Sequence, residues 1–277
     1  MKVTAVPEQR PLQFGVLSTG MTLQAWQARC VEHLLALDHV QLGLVIVDQG
    51  DIPSPSTVDR IRRIQPNRLL FQLYRNRLLK PRARRPVDMQ ATLSAASSIH
   101  CRLTKRGRFS RYFSEDAVRT IRNHDLDFIM LFARGIFRGD ILNAARFGVW
   151  SYHHDDEERY RGGPPCFWEI YHDDPRTGAI LQRLTDRLDG GIVLKKDFVP
   201  TVNSSYAENI DAAYFASAPW PARVCSDIRA GRAEYLDAPP SQTRAPIYYA
   251  PTNRQLMIFG LKLLTNRLAR WSRRARA

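Results

Sequence analysis

LQFGVLSTGMTLQAWQARCVEHLLALDHVQLGLVIVD, residues 12 to 48, decides the fold class. Its ends, LQFGVLS (12–18) and LGLVIVD (42–48), are short, nearly continuous apolar runs. Runs of this length suit strands buried on both faces. Between them lies a turn at Thr19-Gly20 and then residues 21–37, which place Trp26, Cys30, Leu34 and Leu35 near one helical face. A strand, a helix and a second apolar strand predict a βαβ unit in a parallel sheet covered by helices. No GxGxxG follows the first strand, so the dinucleotide fingerprint is absent.

The alternation continues outward. Residues 54–86 mix helical spacing with a basic run that ends in the loop-like KPRARRP. SEDAVRTIRNH (114–124) reads as a helix capped by Ser114, followed by strand DFIMLFA (127–133), short helix GDILNAAR (139–146) and strand GVWSYHH (148–154). FWEIYH (167–172) reads as helix, and TGAILQRLTD and GGIVLKKDFV read as two strands joined by RLDGG. Ser205 with Glu208 opens a further helix in capping-box style. The expected organisation is an α/β domain over residues 1–200 and a helical appendage over 201–277 that ends in a basic amphipathic helix.

Composition narrows the function classes. The 277 residues carry a net charge of +14. Between Arg60 and Arg111 there are fifteen Lys or Arg residues and one acid, Asp88. Such a field attracts anions, whether phosphorylated substrates, acidic headgroups or nucleic acid. Nucleic acid is disfavoured, because few aromatics interleave the arginines and no recognised binding motif is present. Cys30, Cys101, Cys166 and Cys225 form no CxxC and read as reduced thiols. No apolar run is long enough for a membrane span, and the N-terminus lacks a signal-peptide core. The expected location is cytoplasmic, with the inner face of a membrane as the surface a basic helix would meet.

GVWSYHHDDEERYRGG (148–163) carries the candidate chemistry. His153 and His154 are adjacent in a strand, so they point to opposite faces and do not share a metal. No metal site is expected. Alternation puts Ser151 and His153 on one face, and Tyr152 and His154 on the other. A polar pair at the C-terminal end of a parallel strand is where open α/β sheets place their ligands. Asp155 to Glu158 read as loop surface, with the option of gripping a cationic amine.

These residues resemble the core signature of the N10-formyltetrahydrofolate-dependent formyltransferases, in which the same kind of strand leads into Gly-Val-x-Asn-x-His-Pro-Ser-Leu-Leu-Pro-x-Tyr-Arg-Gly. Gly148, Val149, His153, Tyr160, Arg161 and Gly162 match without a gap, and TGAILQRLTDRLDGGIVL (177–194) is similar to the family's Leu-Asp-x-Gly segment. FARGIFRGDIL resembles the stretch that lines the folate pocket. The likeness covers roughly residues 125 to 195. It implies a Rossmann-like formyltransferase domain, N10-formyltetrahydrofolate as formyl donor, and a catalytic set of Ser151, His153 and Asp189. It further implies folate contacts from Phe132, Arg134, Gly135, Ile136, Asp186 and Leu188, and acceptor contacts from Tyr160, Arg161 and Gly162. The sequence departs from the pattern twice: Ser151 stands where the family has asparagine, and His154 to Glu158 replace Pro-Ser-Leu-Leu-Pro.

The acceptor expected from this likeness is a primary amine of an amino sugar on a phosphorylated or lipid-linked carrier. A formyltetrahydrofolate hydrolase and a catalytically degenerate module at a membrane or partner are the alternatives. For residues 252–277 two readings stay open, packing on the domain and an amphipathic helix on an anionic membrane surface.

Overall fold

The computed structural model describes residues 10–50, 65–107, 110–187 and 190–274. Seven strands form the central sheet: β1 (Leu12–Ser18), β2 (Val40–Asp48), β3 (Ser97–Cys101), β4 (Phe128–Leu131), β5 (Val149–His153), β6 (Arg176–Arg183) and β7 (Ile192–Pro200). Their order is β7-β6-β5-β4-β1-β2-β3. The first five in the chain run parallel, while β6 pairs antiparallel with β5 and β7 antiparallel with β6. The chain steps outward from β1 through β2 to β3, then returns to place β4 on the other side of β1. That reversal opens a crevice at the C-terminal ends of β1 and β4.

The sheet is buried on both faces, as the apolar runs predict. Leu12, Phe14 and Val16 of β1 join Phe128, Met130 and Trp150 on one face, under α1 (Ala25–Leu35). Leu17, Ile129, Leu131 and Val149 join the other core, under α2 (Glu115–Arg122). Phe14, Phe128 and Trp150 stack across three neighbouring strands, at centroid separations of 5.7 and 3.9 Å. Each such side chain contributes roughly 1.5–3 kcal/mol by leaving water. Ser114 caps α2, its hydroxyl accepting the Ala117 N–H at 3.3 Å.

Two further helices, α3 (Tyr206–Ser217) and α4 (Trp220–Arg229), complete the cores. Trp220, Val224 and Cys225 pack beneath β1 and β5, and Tyr206, Ile210 and Tyr214 join Trp26, Phe167 and Phe259 in a third cluster. Ser205 caps α3 by accepting the Glu208 N–H at 3.3 Å. The last helix, α5 (Asn253–Arg274), is the basic C-terminal segment.

The structure differs from the sequence reading in three places. The helix expected from residue 21 starts at Ala25, because Thr22–Gln24 pairs instead with Pro86–Asp88. GDILNAAR forms only a 3₁₀ turn, Asp140–Asn143. Strand β3 was not anticipated: SSIHC lies at the sheet edge with only Cys101 buried, so apolar patterning does not mark it. Residues 54–64 of the expected basic helical stretch lie outside the described residues. All four cysteines are buried free thiols.

Candidate active site

Strand β5 carries the signature residues out to the crevice. Tyr152 and His154 share one face, their rings parallel at 5.5 Å, which leaves Ser151 and His153 on the other as the alternation predicts. A cavity of about 920 Å³ opens here, beside the C-terminal ends of β4 and β5. Among the sequence-predicted residues, Ser151, Phe132 and Arg134 line it. Phe132 stands edge-on to Trp26 at 5.8 Å, and its backbone N–H is held by Leu17 O at 2.8 Å.

The other predicted residues stand off this wall. Gly135 has φ +128°, and a Cβ there would meet Arg111 Nε at 2.7 Å, so it spares room for the buried Arg111–Asp48 ion pair. Ile136 is half-buried and pairs, in a short parallel ladder, with Ser110. Asp186 is exposed, and its carbonyl accepts from Arg138. Tyr160 is buried with its hydroxyl on Asp174, and Arg161 donates to Ala245 O at 3.2 Å. Gly162 lies at φ +92°, and a Cβ there would strike Tyr248 O at 2.3 Å. Glycine at this position lets the two backbones approach closely. Asp189 and Leu188 lie outside the described residues.

His153 is partly exposed, with Nε2 3.6 Å from Asp155 Oδ2. Asp155 Oδ1 in turn accepts the Cys166 N–H at 2.7 Å. The reading of residues 155–158 as loop surface therefore needs correction. Asp155, Asp156 and Glu157 are buried, and Glu158 alone is exposed. Lys196 of β7 draws the run together and offsets part of its charge, its Nζ lying 2.8 Å from Asp156, 3.3 Å from Glu157 and 2.8 Å from Glu158. Burial pushes the Asp155 carboxyl well above the usual range, and neighbouring Glu169 adds to the push. Glu169 is fully buried and neither of its carboxylate oxygens closes a hydrogen bond of ordinary geometry. Burial raises its pKa to about 8.

His154 faces the cavity and was not anticipated as a site residue. Its ring stacks on Tyr214 at 3.6 Å, and Nε2 lies 3.1 Å from Ser217 Oγ. The Ser217 hydroxyl donates to Tyr214 O at 3.1 Å, so toward His154 it accepts. Nε2 thus carries the proton and Nδ1 is the acceptor. Burial holds this imidazole neutral, with its pKa well below the ordinary value, and the charges at His153 and Arg84 push the same way.

The cavity is strongly cationic. Arg75, Lys80, Arg84, Arg85 and Arg134 line it, with no carboxylate among the described lining residues. Arg84 is fixed by a 2.9 Å hydrogen bond from Nη2 to the Tyr214 hydroxyl. Asp211 of α3 anchors this stretch, accepting the Ala83 N–H at 2.7 Å and Arg82 Nε at 3.2 Å. The basic run seen in the sequence was the only signal for Arg75, Lys80, Arg84 and Arg85, whereas Arg134 was marked by the family pattern. Aromatic walls from Trp26, Phe71 and Tyr206 complete the lining. Flat aromatic surfaces beside fixed cations, without a carboxylate, suit a flat heterocycle that bears anionic groups.

No family model matches the chain. Curated relatives do. Methionyl-tRNA formyltransferase of Rickettsia bellii is 33% identical over 87 residues, covering 31% of this chain and 29% of the relative. Methionyl-tRNA formyltransferase of Methylobacterium nodulans is 36% identical over 81 residues, covering 29% of this chain and 26% of the relative. The matched stretch thus spans less than a third of the length of these relatives. Among solved structures, a formyltetrahydrofolate deformylase from Pseudomonas syringae aligns with a TM-score of 0.49 at 15% identity, covering 88% of this chain and 65% of that one. A glycinamide ribonucleotide transformylase from Geobacillus kaustophilus aligns with a TM-score of 0.49 at 13% identity, covering 78% of this chain and 98% of that one. Over this stretch, less than a third of the chain, the sequence is similar to methionyl-tRNA formyltransferases and so resembles the N10-formyltetrahydrofolate-dependent formyltransferase family.

Proposed function

We propose that the protein transfers a formyl group from N10-formyltetrahydrofolate to the primary amine of an amino sugar on a phosphorylated carrier. The observation that carries the reading is the position of Ser151. The residue in the place of the family's asparagine lies on the wall of an aromatic, cation-lined cavity at the sheet's crevice, together with Phe132 and Arg134. Trp26, Phe71 and Tyr206 supply flat surfaces for a pterin, and the cations suit the donor's glutamate tail and a phosphate on the acceptor.

Formyl transfer makes a bond from the acceptor nitrogen to the formyl carbon, breaks the bond from that carbon to N10, and moves one proton from the acceptor nitrogen to N10. The donor supplies the activated formyl group. Ser151 donates its hydroxyl to the formyl oxygen as that oxygen gains negative charge, a contribution of about 3 kcal/mol for a well-placed donor. His153 takes the proton leaving the amine, with its ring oriented by a neighbouring acidic side chain. Asp155 is placed to orient it, beside the Asp189 that the family resemblance assigns to the same task. Gly135, Ile136, Asp186 and Leu188 complete the folate side on this reading, and Tyr160, Arg161 and Gly162 the acceptor side. Residues 1–200 carry the transfer chemistry, and residues 201–277 brace the cavity.

Calorimetry with 5-formyltetrahydrofolate, followed by formyl-transfer assays, tests the proposal. Wild type is expected to bind, and His153→Ala to bind equally while losing transfer. Nucleotide-linked and lipid-linked amino sugars, methionyl-tRNA and water are compared as acceptors. Absence of folate binding overturns the reading in favour of a non-catalytic module. Transfer to water alone makes the protein a hydrolase.

A further inference from the structure

Helix α5 carries two apolar stripes. Leu256, Phe259 and Leu263 face the domain, with Phe259 buried and stacked on Phe167 at 4.1 Å. Met257, Leu261, Leu264, Leu268 and Trp271 recur at alternating steps of four and three residues, which aligns them along a second face. That face is bare: these five side chains are between 53% and 72% exposed. Leu70 N donates to Asn253 Oδ1 at 3.1 Å and Asn253 Nδ2 donates to Pro66 O at 2.8 Å, which seats the segment 66–78 against the start of α5. It adds exposed Leu69, Leu70, Leu73 and Leu78, and Tyr249 lies exposed beside Arg68.

Charge selects the partner for this surface. Helix α5 contains Arg254, Lys262, Arg267, Arg270, Arg273 and Arg274 and no acid. Lys262 and Arg270 are paired with Asp173 and Glu208 of the domain. Arg254 and Arg267 are exposed, Arg267 keeping one long hydrogen bond to Ser204 O at 3.4 Å, and helical spacing sets the two on either side of the bare stripe. Residues 65–85 add seven Lys or Arg residues and likewise no acid. Pairing this stripe with its own copy would press two all-cationic helices together, with no carboxylate at the flanks to relieve them. An anionic bilayer offers both an apolar phase for the stripe and counter-charge for its rim.

We propose that this surface docks the protein on an anionic lipid bilayer, with α5 lying in the interface. Among the described residues no helix is long and apolar enough to cross a membrane, which suits a helix that lies on one. Trp271 and Tyr249 are residue types favoured at the headgroup level. The segment that carries the exposed leucines also supplies Phe71 and Arg75 to the cavity, and Leu79 and Lys80, which follow it directly, line the same cavity. The bilayer therefore meets an element that is also a wall of the candidate active site.

Vesicle flotation tests this with phosphatidylcholine alone and with phosphatidylcholine containing phosphatidylglycerol. The full chain is expected to float with the anionic vesicles, roughly tenfold or more less with the neutral ones, and less at high salt. Leu261→Glu with Leu268→Glu, and separately Arg254→Gln with Arg267→Gln, are each expected to weaken flotation by about tenfold or more. Both pairs are exposed and away from the cavity, so melting temperature and 5-formyltetrahydrofolate binding should not change. Failure of wild type to float overturns the proposal, as does equal flotation on neutral vesicles or by the leucine variant. Sedimentation equilibrium is run in parallel. A wild-type dimer that the leucine variant dissociates, without flotation, assigns the stripe to a second copy of the chain instead.

Discussion

Asp155 Oδ2 stands 3.6 Å from His153 Nε2, while its other oxygen is held by the Cys166 amide at 2.7 Å. A buried carboxyl fixed at one oxygen and offered to an imidazole at the other restrains ring rotation. Asp155→Asn should lower formyl transfer by about 10- to 100-fold with folate affinity little changed. Steady-state rates and calorimetry on the variant check this. An unchanged rate would leave orientation of His153 to Asp189 alone.

Ser151 lines the cavity, and the proposed function makes it the donor to the formyl oxygen. Ser151→Ala should reduce kcat by about tenfold or more while leaving the donor's binding within about twofold. Single-turnover transfer separates the two. A loss of donor affinity with kcat intact would make Ser151 a binding residue.

Arg84 is held by the Tyr214 hydroxyl at 2.9 Å and lines the cavity. If it meets an anionic group of the ligand, Arg84→Ala should weaken 5-formyltetrahydrofolate binding by about tenfold or more. Arg84→Lys should restore part of it, because it keeps the charge but loses the planar fork. Calorimetry on both variants reads the effect.

Two buried groups give stability opposite dependences on pH. The Glu169 pKa rises from 4.5 unfolded to about 8 folded, so the folded state holds a proton the unfolded chain has lost. Its stabilising effect is complete below about pH 4.5 and falls away as pH rises through 8. His154 is depressed below 6.5, so its stabilising effect is present above 6.5 and is lost as pH falls. Glu169→Gln should therefore stabilise the protein at pH 8.5 by on the order of 4 kcal/mol relative to its effect at pH 4.5. His154→Gln should flatten the acid limb. Denaturant titrations across pH check both.

Helix α5 offers an internal comparison. Phe259 is 1% exposed and Leu268 is 57% exposed on the same helix. Phe259→Ala should cost about 3–5 kcal/mol, and Leu268→Ala within about 0.5 kcal/mol. Chemical denaturation of the two variants measures the difference.

Much of the sheet was legible because its strands are apolar on both faces. LQFGVLS matches β1, and strands β2, β4, β5, β6 and β7 fall within a few residues of the runs that marked them. Strand β3 escaped because an edge strand with an exposed face needs no apolar pattern. At the site, Ser151, Phe132 and Arg134 were legible through the family pattern. Arg75, Lys80, Arg84 and Tyr214 belong to no local motif. They reach the cavity from segments about 70 residues before β5 and about 60 after it.

The acidic run shows where local reading stops. Consecutive carboxylates at 155–158 look solvated, because four like charges in a row are costly to bury. Whether that cost is met depends on Lys196, some forty residues away, and on the Cys166 amide. The sequence by itself determined six of the seven sheet strands, the faces of Ser151 and His153, and the sign of the charge, since periodicity and composition are local properties. Only the tertiary structure decided which acids are buried, which cations line the cavity and which stripe of α5 stays bare. Those depend on partners that chain folding brings together from distant segments.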